Sequence, residues 1–133
     1  KLMPFKLLIV DDSQVCLMLT RGYLQSFRPD WSCSTADSAE EATALIELHH
    51  FDAYSLDYNL PNRNGLELAR WIRSRDQQCF IGLLTSNIMN YVEDQAISDN
   101  INYYRKPAKP DVIQQFVSDI EHYKRAYFNN LVK

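Results

Sequence analysis

The chain has 133 residues, which is the size of one domain and enough to bury a hydrophobic core. Hydrophobic residues make up 46% and charged residues 23%, as in ordinary globular proteins, and the net charge of -3 argues against direct binding of nucleic acid. No apolar run reaches the length of a membrane span, and the first residues lack the apolar region of a signal peptide. The three cysteines, Cys16, Cys33 and Cys79, have no metal-type spacing, which predicts reduced, partly buried thiols in a cytoplasmic protein.

Mostly apolar runs bounded by turn signals predict five β-strands, over residues 6–10, 31–35, 51–57, 79–84 and 101–104. Segments with helical spacing follow these runs, over residues 14–27, 38–50, 65–74, 89–98 and from 110 onward. This alternation predicts an α/β fold in which helices cover both faces of a parallel sheet. The doubly wound, flavodoxin-like strand order 2-1-3-4-5 is favoured for five such units.

Sequence signals also mark where the helices begin and which way they face. The predicted N-caps of the first three helices are Ser13, Ser38 and Asn64. The last helix begins near Pro110 and carries an apolar stripe of Ile113, Phe116, Val117, Ile120, Tyr123 and Tyr127. The first helix is unusually apolar, and the stripe predicted to face the sheet consists of Cys16, Leu19, Tyr23 and Phe27. Leu17 and Met18 would then point elsewhere.

Polar residues follow four of the predicted strands. Strands 1, 3, 4 and 5 are neighbours in the predicted order, so one edge of the sheet collects Asp11, Asp12, Asp57, Thr85 and Lys106. Carboxylates that meet in a crevice repel one another unless a cation lies between them. A site with only a few protein oxygen ligands suits Mg²⁺ better than Ca²⁺. Lys106 and Thr85 suit phosphoryl oxygens, and Asp57 is the candidate nucleophile of an acyl phosphate. Each residue alone is common at a strand end, and their joint occurrence makes the prediction specific.

Four motifs in these positions resemble those of one family: residues 9–13 (IVDDS), 57–65 (DYNLPNRNG), 84–87 (LTSN) and 103–107 (YYRKP). On these motifs the chain resembles the CheY-like receiver domain of bacterial two-component response regulators, from Lys6 to about Tyr123. The resemblance implies that Asp57 accepts a phosphoryl group from a sensor histidine kinase or a histidine phosphotransfer protein.

The resemblance also implies a metal site around Asp57. Asp12 would bind Mg²⁺ directly and Asp11 mainly through water. Asn59 would contribute its backbone carbonyl, and Asp57 would complete the ligand set.

Further residues would read or tune the phosphorylated state. By the resemblance, Lys106 pairs with Asp57 and then with the phosphate, while Thr85 moves inward to bond a phosphate oxygen. Tyr103 stands at the position of the switch aromatic residue, whose ring follows Thr85 and remodels the face formed by helix 4, strand 5 and helix 5. Asn59 and Asn87, each two residues after a key position, are candidates for tuning the lifetime of the phosphate.

Two other functions are considered. A pseudo-receiver would act without phosphorylation as a protein-interaction module. The five residues expected of a phosphorylated receiver are all present, however: Asp11, Asp12, Asp57, Thr85 and Lys106. A Mg²⁺-dependent phosphohydrolase would need a second catalytic aspartate where Asn59 stands, so we expect a phosphoacceptor and not a turnover enzyme.

We expect residues 1–125 to form the receiver domain, and residues 126–133 to be a C-terminal helix extension or the start of a linker. Whether the domain stands alone, whether it forms a homodimer, and which output domain or target it serves are left open. Leu17 and Met18 have two interpretations. They contact the last helix, or they form a docking surface for a kinase or phosphotransfer helix bundle.

Overall fold

The computed structural model describes residues 4–87 and 89–131. Within these residues one parallel sheet contains five strands, β1 (Lys6–Val10), β2 (Ser32–Ala36), β3 (Ala53–Leu56), β4 (Phe80–Thr85) and β5 (Asn102–Arg105). Their order across the sheet is β2-β1-β3-β4-β5. The predicted flavodoxin-like fold and strand order are therefore confirmed, and the strand bounds differ from those predicted by only one or two residues.

Helices cover both faces of this sheet, and they are α1 (Gln14–Phe27), α2 (Ala39–Leu48), α3 (Gly65–Arg75), α4 (Asn90–Ser98) and α5 (Pro110–Leu131). The interior strand β1, which lies between β2 and β3, contributes to two cores, because successive side chains of a strand point to opposite faces. Leu8 and Val10 pack with residues of α2, α3 and α4. Leu7 and Ile9 pack with residues of α1 and α5. Because β1 is buried on both faces, its sequence is continuously apolar and does not alternate.

The predicted N-caps are confirmed at the start of α1, α2 and α3. The side chains of Ser13, Ser38 and Asn64 each accept a hydrogen bond from the backbone amide three residues later. At α3 the bond is reciprocated, because the Glu67 side chain accepts from the Asn64 amide at 3.2 Å. This capping box holds the beginning of α3 against the loop that follows β3.

The predicted inward face of α1 is confirmed for Cys16, Tyr23 and Phe27, which contact the core, but it is wrong for Leu19. Leu19 is 41% exposed, whereas Leu17 is buried at 5%, so the two residues exchange the positions predicted for them. The side that packs inward contains Cys16, Leu17, Thr20 and Leu24. The apolar run of residues 15–19 fits more than one helix phase, and the inward side also includes the polar Thr20, whose Oγ1 lies 3.8 Å from Cys16 Sγ. Leu17 is therefore wrong as a docking residue, while Met18 is 67% exposed.

The predicted stripe of α5 is confirmed up to Tyr123, while Tyr127 is half-buried and lines a surface pocket with Phe80 and Tyr123. Ile113, Phe116 and Ile120 are buried, and Val117 and Tyr123 pack partly buried against the same core. The helix continues to Leu131. None of the helices in the described ranges combines the length and apolar character of a membrane span.

Candidate functional site

Backbone hydrogen bonds carry the sheet one residue beyond its strands, at their carboxyl ends. The Asp57 amide donates to the Val10 carbonyl at 2.9 Å, and the Asp11 amide donates to the Ala36 carbonyl at 3.1 Å. Asp11 and Asp57 therefore lie side by side on neighbouring strands, at the edge where α/β sheets hold their ligands.

Three carboxylates meet at this edge and form the acidic cluster, Asp11, Asp12 and Asp57. One oxygen atom of each lies within 4.8 Å of the other two. Asp11 and Asp57 are buried, at 3% and 5% exposure, and Asp12 is exposed. Backbone amides orient the buried pair, because Ser13 N donates to Asp11 Oδ1 at 2.9 Å and Asn59 N donates to Asp57 Oδ1 at 3.2 Å.

Lys106 bridges the two buried carboxylates of the acidic cluster. Its Nζ lies 2.7 Å from Asp11 Oδ2 and 3.1 Å from Asp57 Oδ2. Burial favours loss of the Lys106 proton, but the hydrogen bond and charge of Asp11 and the charge of Asp57 outweigh this and raise the pKa of Lys106. The sequence predicted the pairing with Asp57, whereas the contact with Asp11 was not predicted.

Asp57 lies in an environment that opposes its negative charge. Burial raises the pKa of its carboxyl group, and the charge of Asp11 raises it further. Hydrogen bonding with Thr85 and the charge of Lys106 act in the opposite direction without cancelling the rise. Positive charge added near the acidic cluster therefore stabilises the ionised form of Asp57.

The donors of the acidic cluster fit a hard divalent cation. Mg²⁺ prefers carboxylate oxygens and keeps several of its waters, which an exposed ligand such as Asp12 permits. No His or Cys belongs to the cluster, so its donor set does not suit a softer metal. These residues are thus able to hold Mg²⁺.

The end of β4 connects to β5 and α4 through Asn87. Thr85 is completely buried, and its Oγ1 accepts a hydrogen bond from the Asn87 amide at 3.2 Å. The Tyr103 hydroxyl on β5 donates to the Asn87 carbonyl. The Asn87 side chain accepts from the Met89 amide at 2.9 Å, immediately before α4. The sequence placed Tyr103 in its strand and Thr85 directly after the fourth strand, whereas Thr85 is the last residue of β4, and it did not predict that Asn87 joins them.

Gly65 is a further residue on which the site depends and which sequence reasoning did not single out. A Cβ atom at this position would lie 2.1 Å from the Asp57 carbonyl oxygen and 2.9 Å from its carbonyl carbon. The Gly65 amide also donates to the Tyr58 carbonyl at 2.8 Å. The signal in the sequence is a glycine in the first turn of a helix that already has a good N-cap, which points to close packing.

The three cysteines are free and buried, as predicted for reduced thiols. Burial raises the pKa of each, to about 11 for Cys16 and to about 12 for Cys79, and in the same direction for Cys33. Because the thiolate is the reactive form, these thiols are unreactive near neutral pH.

The fold and the polar residues at its carboxyl edge are those of a signalling receiver domain. The chain belongs to the response regulator receiver domain family, whose model matches residues 7–118. It is thus a receiver domain of the kind found in two-component systems.

Curated relatives include both regulators and kinases. The chain is 26% identical over 107 residues to stress response regulator protein 1 of Debaryomyces hansenii, covering 80% of this chain and 44% of that protein. It is 26% identical over 142 residues to hybrid signal transduction histidine kinase C of Dictyostelium discoideum, covering 97% of this chain and 11% of that protein. The chain therefore spans less than half the length of these relatives.

Solved structures share the whole fold. A CheY-like response regulator receiver domain protein from Methanospirillum hungatei superposes with a TM-score of 0.83 at 21% identity, over 93% of this chain and 99% of that one. The response regulator TrrA from Thermotoga maritima, solved in complex with Mg(2+)-BeF, gives a TM-score of 0.76 at 26% identity, over 87% of this chain and 98% of that one.

Proposed function

We propose that this chain is a cytoplasmic phosphoacceptor module, in which Asp57 takes a phosphoryl group from a sensor histidine kinase or a histidine phosphotransfer protein. One observation carries the proposal. Asp57 is buried, 3.1 Å from Lys106 Nζ, and within 4.8 Å of carboxylate oxygens of Asp11 and Asp12. A carboxylate with only a structural role gains nothing from two further carboxylates beside it, because like charges repel.

The proposed transfer moves one phosphoryl group between two side chains. A carboxylate oxygen of Asp57 attacks the phosphorus atom of phosphohistidine and forms a P–O bond. The P–N bond breaks, and the histidine nitrogen leaves with its electron pair. Lys106, already in contact with Asp57, offsets the negative charge on the phosphoryl oxygens. Mg²⁺ held by the acidic cluster and the Asn59 carbonyl would supply further positive charge there.

The acyl phosphate would serve as a transient signal and not as a step of turnover catalysis. The Thr85 hydroxyl accepts a bond from Asn87 and can donate its own hydrogen to a phosphoryl oxygen. Movement of Thr85 toward Asp57 would reach Tyr103 through Asn87 and change the face formed by α4, β5 and α5. Asn59 and Asn87 are the candidates for tuning how long the phosphate persists.

Small phosphoryl donors test the proposal without a kinase. Incubation of the chain with acetyl phosphate and Mg²⁺ is expected to add one phosphoryl group per molecule, detected by intact-mass spectrometry at neutral pH. Removal of Mg²⁺ with EDTA is expected to lower the rate at least about tenfold, because the acidic cluster then lacks its cation. Absence of any phosphoryl uptake with Mg²⁺ present would contradict the proposal and favour the phosphorylation-independent pseudo-receiver.

The exposed apolar face of α1 is proposed as the docking surface for the phosphoryl donor. Val15, Met18 and Leu19 are 61%, 67% and 41% exposed, and their spacing places them on one side of the helix. The helix begins directly after Asp11, Asp12 and Ser13, so this face flanks the acidic cluster. An apolar face there fits an amphipathic helix of a phosphohistidine donor.

Met18→Ser is expected to slow phosphoryl transfer about tenfold, as for a hot-spot residue, when the donor is a phosphohistidine protein that labels the wild type. Transfer from acetyl phosphate should be unaffected, because this donor needs no docking surface. The matched control is Leu48→Ser. Leu48 is 77% exposed at the end of α2, near the amino ends of the strands and away from the acidic cluster. Equal protein-donor rates for Met18→Ser and wild type would exclude docking through Met18.

We propose residues 1–125 as the receiver domain and residues 126–133 as a C-terminal helix extension or the start of a linker, of which residues 132 and 133 lie outside the described residues. Support comes from the family match, which ends at residue 118, and from the helix, which runs on to Leu131. A helix of this kind suits either a linker or a contact with a second copy. Limited proteolysis that removes residues after 125 without changing the melting temperature would support this boundary.

A further inference from the structure

We propose that Asn87 is a positioning residue that couples the Thr85 hydroxyl to the first turn of α4. The inference rests on the proposed function, since it names the contact through which the state of Asp57 reaches this helix. It assigns Asn87 a role in addition to any effect on phosphate lifetime.

Asn87 is suited to this role because its three hydrogen bonds connect it to three different parts of the site. Its amide donates to Thr85 Oγ1 at 3.2 Å, its carbonyl accepts from the Tyr103 hydroxyl, and its side-chain Oδ1 accepts from the Met89 amide at 2.9 Å. A shift of the Thr85 hydroxyl toward Asp57 therefore either carries the Asn87 backbone with it or breaks the first bond. In both cases the other two bonds are disturbed.

The side-chain bond matters because α4 begins without the usual cap. Its N-cap residue is Met89, which has no side-chain oxygen, and no side-chain capping bond is made at this helix start. By contrast, α1, α2 and α3 begin at Ser13, Ser38 and Asn64, each of which caps its helix. In place of a cap on Met89, the Asn87 side chain forms an Asx-type turn, in which its Oδ1 accepts a hydrogen bond from the Met89 amide two residues later. Asn87 therefore makes hydrogen bonds both to the start of α4, which is part of the proposed signalling face, and to Thr85.

Substitutions at residue 87 separate the acceptor oxygen from other properties of asparagine. Aspartate retains an oxygen that can accept from Met89, serine retains a weaker one, and alanine has none. In the unmodified protein with EDTA, Asn87→Ala is expected to accelerate hydrogen exchange of the amides of residues 89–93 about fivefold, as for loss of a helix cap. Asn87→Asp should stay within about twofold of the wild type, and Asn87→Ser should lie between them. Asn90→Ala, at the exposed first residue of α4, is the matched control.

The coupling to Thr85 is tested by a double-mutant cycle in the same unmodified protein. Thr85→Val removes the Oγ1 acceptor with little change of shape and is expected to accelerate exchange in α4 about threefold. The double variant Thr85→Val, Asn87→Ala should exchange more slowly than the product of the two single effects, because both substitutions break one chain of contacts.

Two results would overturn the inference. The first is exchange in α4 that does not change in Asn87→Ala, or that changes equally in Asn87→Asp. The second is a double variant whose effect equals the product of the single ones. Beryllofluoride with Mg²⁺, as a phosphoryl mimic, then separates this inference from the proposed function. If the NMR resonances of Asp57 and Thr85 in the wild type do not change on addition of beryllofluoride, phosphoryl binding is contradicted. The hydrogen-exchange measurements in EDTA would still decide the role of Asn87.

Discussion

Asp57→Asn is expected to reduce phosphoryl incorporation from acetyl phosphate by at least about a hundredfold, because the amide cannot act as the nucleophile. The variant keeps the shape of the side chain and leaves the contact of Lys106 with Asp11 in place. Intact-mass spectrometry in the presence of Mg²⁺ measures the change, and peptide mapping of the wild type locates the group. Full labelling of the variant at another residue would show that Asp57 is not the acceptor.

The stability of the same variant shows whether its loss of labelling comes from chemistry or from unfolding. Burial raises the pKa of Asp57, so its folded carboxyl group holds its proton to a higher pH than in the unfolded chain. The contribution of Asp57 to stability is therefore full at low pH and is lost as the pH rises through the raised pKa. Asparagine has no charge to lose, so Asp57→Asn is expected to melt about 4 °C higher than the wild type at pH 7 with EDTA. This difference should shrink as the pH is lowered.

Gly65→Ala is expected to destabilise the protein by about 2 kcal/mol and to slow phosphorylation about tenfold or more. The new methyl group would lie 2.1 Å from the Asp57 carbonyl oxygen, so the backbone after β3 or the start of α3 must move. Either movement displaces the Asp57 carboxylate from Lys106 and the acidic cluster. Thermal unfolding by circular dichroism and the acetyl phosphate rate measure the two effects.

Gly22→Ala is the matched control, because the same substitution is made where it meets no other group. Nothing lies within 4 Å of a Cβ atom at Gly22, which is an exposed residue in the interior of α1. Alanine there is expected to raise the free energy of unfolding by about 0.5–1 kcal/mol and to leave the phosphorylation rate unchanged. A Gly65→Ala variant as stable and as active as Gly22→Ala would contradict the close packing of α3 on Asp57.

The fold and the meeting of the central residues could be predicted because they depend on pattern and topology. Strand runs followed by helical spacing determine an alternating α/β order, and in such a sheet the carboxyl ends of neighbouring strands share one edge. Asp57 therefore meets Asp11 and Asp12, although it is far from them in sequence. Helix starts were predictable for the same reason, since capping residues act on backbone atoms three positions away.

The parts that could not be predicted depend on side-chain packing. The inward side of α1 includes the polar Thr20, and a single apolar run does not determine that Leu17 is buried and Leu19 exposed. The contact of Lys106 with Asp11 depends on where a long side chain ends, which topology does not determine. The clash at Gly65 depends on the distance between α3 and a backbone carbonyl, a quantity with no counterpart in sequence spacing.

The three buried thiols make the chain its own reporter of transient opening. Cys16 in α1 and Cys33 in β2 lie in the core on one face of the sheet, and Cys79, immediately before β4, lies in the core on the other face, so the thiols sample both faces. A disulfide reagent reaches such a thiol only when its surroundings open, and each modification rate therefore measures the opening of one region. Comparison of the three rates with and without beryllofluoride would map how far stiffening spreads from Asp57 through the sheet, without any introduced label.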